Sequence, residues 1–148
     1  MALATGHRWR SLCLAMAATC ALVACAGGSS TRSLYEQLGG TSGIEAIVDG
    51  MLLRMSDDDS INHFFASTDI VRFRGLLVEQ FCAEADGPCR YSGFPMHEAH
   101  ANRHITEAHF NAVVEHLVES MEEQSVPVPA QNRLLARLAR LRGGVIRR

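Results

Sequence analysis

An all-α fold is what this sequence predicts, and three observations carry the prediction. Apolar residues recur at steps of three and four in several long stripes, the period of one helix face. Helix-start and helix-stop residues (Ser33, Asp69, Gly39-Gly40, Gly87-Pro88, Pro127) punctuate those stripes. No stretch of useful length alternates apolar and polar residues at period two, and no segment repeats. The 148 residues suffice for one ordinary domain, and 47% hydrophobic against 20% charged residues is a globular composition. All 14 basic residues are arginine and the net charge is −2, which gives no electrostatic reason to expect a nucleic-acid partner.

The N-terminus stands apart from the fold. Arg8 and Arg10 precede an apolar run from Leu12 to Ala26, too short for the roughly 20 residues of a membrane-spanning helix. A basic start, a short apolar stretch and small residues at its end read as an export signal over residues 1–24. The run closes on Leu22-Val23-Ala24-Cys25, which resembles the bacterial lipoprotein cleavage box and makes Cys25 the expected lipidation site. An ordinary signal peptide with an incidental Cys25 is the alternative. The segment 25–33, rich in Gly and Ser, then reads as a flexible tether to a domain spanning 34–148. Acyl chains would hold that domain at a membrane, and Ala26 after the cysteine matches the outer-membrane sorting pattern; the expected location is the periplasmic face. Cleavage leaves 12 arginines against 16 acids, a net charge of −4. It also removes Cys13 and Cys20, so Cys82 and Cys89 remain as an even pair in an oxidising compartment. A disulfide between them is expected, with two free buried thiols as the alternative.

The helices follow in order. Ser33-Leu34-Tyr35-Glu36 has the capping-box pattern and starts a short helix that stops at Gly39-Gly40. Ile44, Ile47, Val48, Met51, Leu52 and Met55 share the face of a second helix, ended by Ser56 and Asp57-Asp58-Asp59. Ile61 to Phe65 is a short apolar turn. Asp69 caps a third helix that turns Phe73, Leu76, Leu77, Gln80 and Phe81 inward until Gly87-Pro88. Tyr91 to Pro95 is a loop by its turn residues. After Thr106, Phe110, Val113, Val114, Leu117, Val118 and Met121 make a long stripe. Past Pro127 and Pro129, Leu134, Leu135, Leu138 and Leu141 make the last. Arg133, Arg137 and Arg140 form a stripe that reads as a solvated face near Glu119, Glu122 and Glu123, with contact to anionic lipid as the alternative.

Seven histidines include His97, His100 and His104, which on a continuous helix would share a face as metal ligands do. His63, His109 and His116 read as solvent-side or satisfied. The motifs around the first three are more specific than their spacing. Leu34-Tyr35-Glu36-Gln37-Leu38-Gly39-Gly40, Phe64-Phe65, Tyr91-Ser92-Gly93, Met96-His97-Glu98-Ala99-His100, Ile105-Thr106-Glu107-Ala108-His109-Phe110 and Val126-Pro127 occur in this order. From Leu34 to Leu141 the chain thereby resembles the group-1 truncated haemoglobins, small haem globins with a two-over-two helical sandwich. The resemblance implies haem b as cofactor and His100 as the proximal iron ligand, with the sixth position open to a gas. It further implies that Phe65 packs on the porphyrin face and that Tyr91 lies near the haem propionates. Met96, Ile105, Phe110, Val113 and Leu117 become apolar haem contacts. His97 and His104 then lie off the haem face.

The departures from the family pattern are as specific as the matches. Leu52 stands where the family usually has a tyrosine, with Met51 replacing an aromatic before it. Leu77 stands at a frequent glutamine, and Leu76 at a basic residue or histidine. Phe73 would face the ligand from the third helix, so the expected distal pocket (Leu52, Phe65, Phe73, Leu77) is apolar. Gln80 is the one nearby polar residue, and ordinary packing is its expected role. Asp86, Asn102 and His104 replace glycines; Asp and Asn tolerate positive φ, whereas His104 is the harder case.

The function implied is binding of oxygen, nitric oxide or carbon monoxide at histidine-ligated haem iron, with a separate electron donor keeping the iron reduced. The enzyme alternative is a haem-dependent nitric-oxide dioxygenase or peroxidase, which calls for distal acid–base groups absent at positions 52 and 77. A haem-free, globin-like interaction module on a lipid anchor is the third.

Overall fold

The structure, a computed structural model, describes residues 32–146. The expected export signal and the lipidation site Cys25 lie outside the described residues. Among the described residues, six α-helices follow in order: α1 (Leu34–Gln37), α2 (Gly40–Asp57), α3 (Ile70–Glu84), α4 (Met96–Ala99), α5 (Glu107–Glu123) and α6 (Val128–Leu138). A 3₁₀ turn at Asn62–Phe65 sits between α2 and α3, and a second at Ala139–Gly144 continues α6. No strand occurs among the described residues, and no helix there is long and apolar enough to cross a membrane.

Local signals start the helices where the sequence places them. Ser33 Oγ accepts from the Glu36 amide while Glu36 accepts from the Ser33 amide, the reciprocal box. Asp69 accepts from the Arg72 amide at 3.1 Å and opens α3. Thr106 opens α5 through an unusual box in which the imidazole of His109 takes the part of the customary acid. Usual box patterns look for Glu or Gln at that place, so the sequence reading missed it.

Helix α2 is the centre of the core. It packs against α5 and α3, while α6 packs against α3 and α1, which makes two layers of two long helices. Ile44, Ile47, Val48, Met51 and Met55 are buried along one face of α2, and Leu117, Ser120 and Met121 face them from α5. Ser120 is fully buried, and its hydroxyl donates to the Ile47 carbonyl at 2.7 Å, so no polar group is stranded there. A side chain at Gly50 would come within 2.5 Å of that hydroxyl, so the glycine lets α5 approach α2 closely.

Two expectations change. The arginine stripe is not one solvated face: Arg137 is half-buried, pairs with Asp86 and donates to the Glu84 carbonyl, tying α6 to the end of α3. The acids expected near that stripe belong elsewhere, because Glu119 and Glu123 pair with Arg54 of α2. The glycine-replacing residues do keep the left-handed backbone, with φ of +58° at Asp86, +60° at Asn102 and +53° at His104. Histidine is among the residues found there more often than most, so His104 holds the turn at a modest steric cost.

Candidate functional site

The faces of α2, α3 and α5, the first 3₁₀ turn, the loop before α4 and the C-terminal turn enclose one cavity of about 340 Å³. Phe73, Leu76, Leu77, Gln80 and Phe81 line it from α3, because residues three and four apart share a helix face. Met51 and Met55 come from α2, Phe64 and Phe65 from the 3₁₀ turn, and Ile105, Phe110, Val113 and Leu117 from the start and inner face of α5. Phe65 and Phe73 stack with ring centroids 5.3 Å apart, which fixes one end of the wall. Tyr91, Met96 and His100 complete the opposite side. The cavity thus brings together every residue that the resemblance implies as a haem contact.

Leu52 is the exception among the expected pocket residues. The wall is made by Met51 and Met55, one turn apart, and Leu52 is absent from it. Consecutive helix positions lie about 100° apart, so turning Met51 to the cavity turns Leu52 to the edge of the core, where it is half-buried.

His100 sits at the end of α4, half-buried. Its Nδ1 lies 2.8 Å from the Met96 carbonyl oxygen, and the same carbonyl accepts from the His100 amide at 3.2 Å. A carbonyl only accepts, so Nδ1 carries the hydrogen and Nε2 of the neutral ring keeps its lone pair. This is the state of an imidazole ready to bind a metal, oriented by a backbone partner. His97 and His104 do not join it. Helix α4 ends at Ala99, His97 is 64% exposed beside Glu98, and His104 lies in the exposed loop beyond. His97 and His104 thus lie apart from the cavity, as the resemblance implies, and the shared face that a continuous helix would give does not form; no metal-holding group of three His, Cys, Asp or Glu exists among the described residues.

The loop carrying Tyr91 is fastened at several points. A disulfide joins Cys82 of α3 to Cys89 with Cα atoms 5.7 Å apart. Ser92 donates to Glu79 from its amide (2.8 Å) and its hydroxyl (2.7 Å), which holds the Glu79 carboxyl below its ordinary pKa. Tyr91 donates its only hydroxyl hydrogen to the Phe94 carbonyl, and burial, with the Glu79 charge, pushes its phenol pKa up. Tyr91 thus stands on the cavity wall in a loop held on both sides, where the resemblance expects it.

Three polar residues on the wall were not predicted or were given another part. His109 lines the cavity while capping α5, and its ring packs against Phe64 at 4.8 Å. Arg103 lines it too and donates to the Phe64 carbonyl at 3.1 Å. Gln80 donates to Glu84 at 3.3 Å, but its buried Oε1 has no partner. His116, by contrast, is engaged away from the cavity, with Nε2 at 2.8 Å from Asp58.

A flat macrocycle of carbon and nitrogen fits this site: a wall mainly apolar and aromatic, with the His100 imidazole oriented through Nδ1 and its Nε2 free. The comparisons agree. The sequence profile described as Bacterial-like globin matches residues 33–146. The Group 1 truncated hemoglobin GlbN of Mycolicibacterium paratuberculosis is 34% identical over 109 residues, covering 74% of this chain and 80% of that protein. Its counterpart in Nostoc commune is 32% identical over 114 residues, covering 77% and 97%. Among solved structures, the Fe(III) form of Tetrahymena pyriformis truncated hemoglobin superposes with a TM-score of 0.75 at 26% identity, covering 78% of this chain and 98% of that one. A Synechococcus 2/2 hemoglobin, solved in the cyanomet state with covalently attached heme, gives 0.73 at 27% identity, covering 79% and 100%. A two-layer helical fold, a mainly apolar cavity with the His100 imidazole on its wall, and relatives that match across the domain lead to one assignment: the chain belongs to the bacterial-like globins, among the group-1 truncated haemoglobins.

Proposed function

We propose that this haem globin holds its iron through His100 and binds a diatomic gas, oxygen first, in a pocket without the family's distal hydrogen-bond donors. The single observation that carries the proposal is the His100 ring: Nδ1 committed to the Met96 carbonyl, Nε2 free, on the wall of an apolar cavity. Held by His100, haem would supply a ferrous iron able to bind a diatomic gas. Phe65 and Phe73 would pack against the macrocycle, while Met96, Ile105, Phe110, Val113 and Leu117 would exclude water and so slow oxidation of the iron. The nitric-oxide dioxygenase and peroxidase alternatives ask for a distal donor, and the wall position where the resemblance expects a glutamine holds Leu77.

The proposal extends to location. Leu22-Val23-Ala24-Cys25 and the tether to position 33 support a lipid-anchored protein facing the periplasm, probed from the membrane side by its acyl chains alone.

The full chain, expressed with its N-terminus, tests both parts. Its ferrous form is expected to show a haem spectrum that shifts with oxygen and with carbon monoxide, in the membrane fraction. His100→Gly is expected to lose that spectrum and to regain it with added imidazole; an unchanged spectrum would refute the ligand assignment. Cys25→Ser is expected to move the haem signal to the soluble fraction, and a signal that stays membrane-bound would refute the anchor.

A further inference from the structure

We propose that Gly144, at the end of the C-terminal 3₁₀ turn, is a positioning residue for the imidazole of His100. The inference rests on His100 as the haem ligand.

Helix α4 has little of its own to hold it in place. It is four residues long, starts from Pro95 without a side-chain cap, and ends at His100. What it packs against is the turn Ala139–Gly144. The approach is closest at Gly144, where an added Cβ would lie 2.8 Å from the Met96 Cβ, 3.3 Å from the His97 amide nitrogen and 3.5 Å from the Met96 carbonyl carbon. A Cβ moves only with its backbone, so the first contact cannot be relieved by a rotamer change. Met96 is also the residue whose carbonyl takes both the Nδ1 hydrogen and the amide hydrogen of His100. Gly144 therefore backs the acceptor that orients the ligand.

The turn is itself well held. Arg142 pairs with Glu107 at 3.2 Å, and its guanidinium lies 5.9 Å from the centre of the Phe110 ring. Leu141 and Val145 reach the cavity wall on either side of Gly144. A side chain at position 144 would thus push on α4 rather than on the turn. Displacing the Met96 carbonyl weakens its bond to Nδ1–H, which makes Nε2 a poorer donor to iron.

The test uses the haem-loaded protein and two neighbouring glycines. A Cβ at Gly143 meets nothing within 4 Å, so Gly143→Ala is the control. In ferrous Gly144→Ala, the iron–histidine stretching band is expected at lower frequency than in the unaltered protein. Haem transfer to an apoprotein acceptor is expected to be about 10-fold faster, the low end of the usual cost of losing an outer-sphere partner. Gly143→Ala is expected to match the unaltered protein in both readouts. Met96→Gly removes the opposing Cβ, so in that background Gly144→Ala is expected to change neither. Should Gly144→Ala hold no haem at all, the comparison with Met96→Gly alone decides: a double variant that holds haem as Met96→Gly does supports the proposal, and one that holds less overturns it. An unchanged band and rate in Gly144→Ala also overturn it, as does an equal effect of Gly143→Ala. A failure of the ligand assignment shows separately, as an unaltered protein whose iron–histidine band survives His100→Gly.

Discussion

Leu77→Gln is the sharpest probe of the pocket. Leu77 stands on the cavity wall between Phe73 and Gln80, where the family frequently places a glutamine. Oxygen on ferrous iron draws negative charge outward, so a donor beside it makes a charge-assisted hydrogen bond of about 1.5–3 kcal/mol. At about 1.4 kcal/mol per tenfold, that is roughly 10- to 150-fold in dissociation rate. Burying an amide where a leucine was costs part of the gain, since a second N–H needs a partner. The structure holds one in reserve: the buried, unpartnered Oε1 of Gln80, three residues along the same face. We therefore expect oxygen release to slow by roughly 10- to 50-fold, with carbon monoxide release changed by no more than about twofold. Leu52→Tyr, off the wall, is expected to change oxygen release by about twofold or less. Stopped-flow displacement of oxygen by carbon monoxide measures all three. If Leu77→Gln leaves oxygen release unchanged, or if Leu52→Tyr slows it as much, the orientation of α2 and α3 around the ligand is wrong. A slow rate in the unaltered protein would instead mean that Gln80, Arg103 or His109 already supplies a donor.

The remaining predictions concern the frame around the pocket. Replacing both Cys82 and Cys89 with alanine releases a cross-link of sequence separation 7 and is expected to lower unfolding free energy by about 2–2.5 kcal/mol in denaturant titrations; a loss below about 0.5 kcal/mol would mean the loop's other ties already hold it. The Asp58 carboxyl is held down to about 2, from 3.8, by its hydrogen bonds to Ser60 and then to His116. A depressed carboxyl contributes stability above its unfolded pKa that is lost as pH falls through the folded one. Asp58→Asn is therefore expected to flatten the stability profile between pH 3.8 and 2, and an unchanged acid limb would remove Asp58 from the account.

What the sequence made legible, and what it hid, divides by range. The stripes on α2, α3 and α5 were readable because a helix repeats its inward face every three to four residues, and the caps at Ser33 and Asp69 because a cap bonds only three residues ahead. The three histidines show why spacing alone is weak: it means a shared face only on continuous helix, and the chain leaves the helix at His100 to pass through positive φ at Asn102 and His104. Leu52 misled differently. Matching motifs identifies which residue corresponds to which, but the rotation of α2 about its axis is set by what Met51 and Met55 pack against, and that is tertiary. Gly144 is the extreme case: a glycine leaves no stripe, and its partner Met96 lies far back along the chain. Even the imidazole follows this division. The residues that flank His100 single it out in the sequence, whereas its tautomer follows only from the Met96 carbonyl in the structure, and the backing of that carbonyl comes from a turn that the sequence assigns only to the end of the last helix. On the proposed ligation, a substitution that leaves every motif intact can still reach His100, because a side chain at position 144 would press on Met96, whose carbonyl holds the Nδ1 hydrogen.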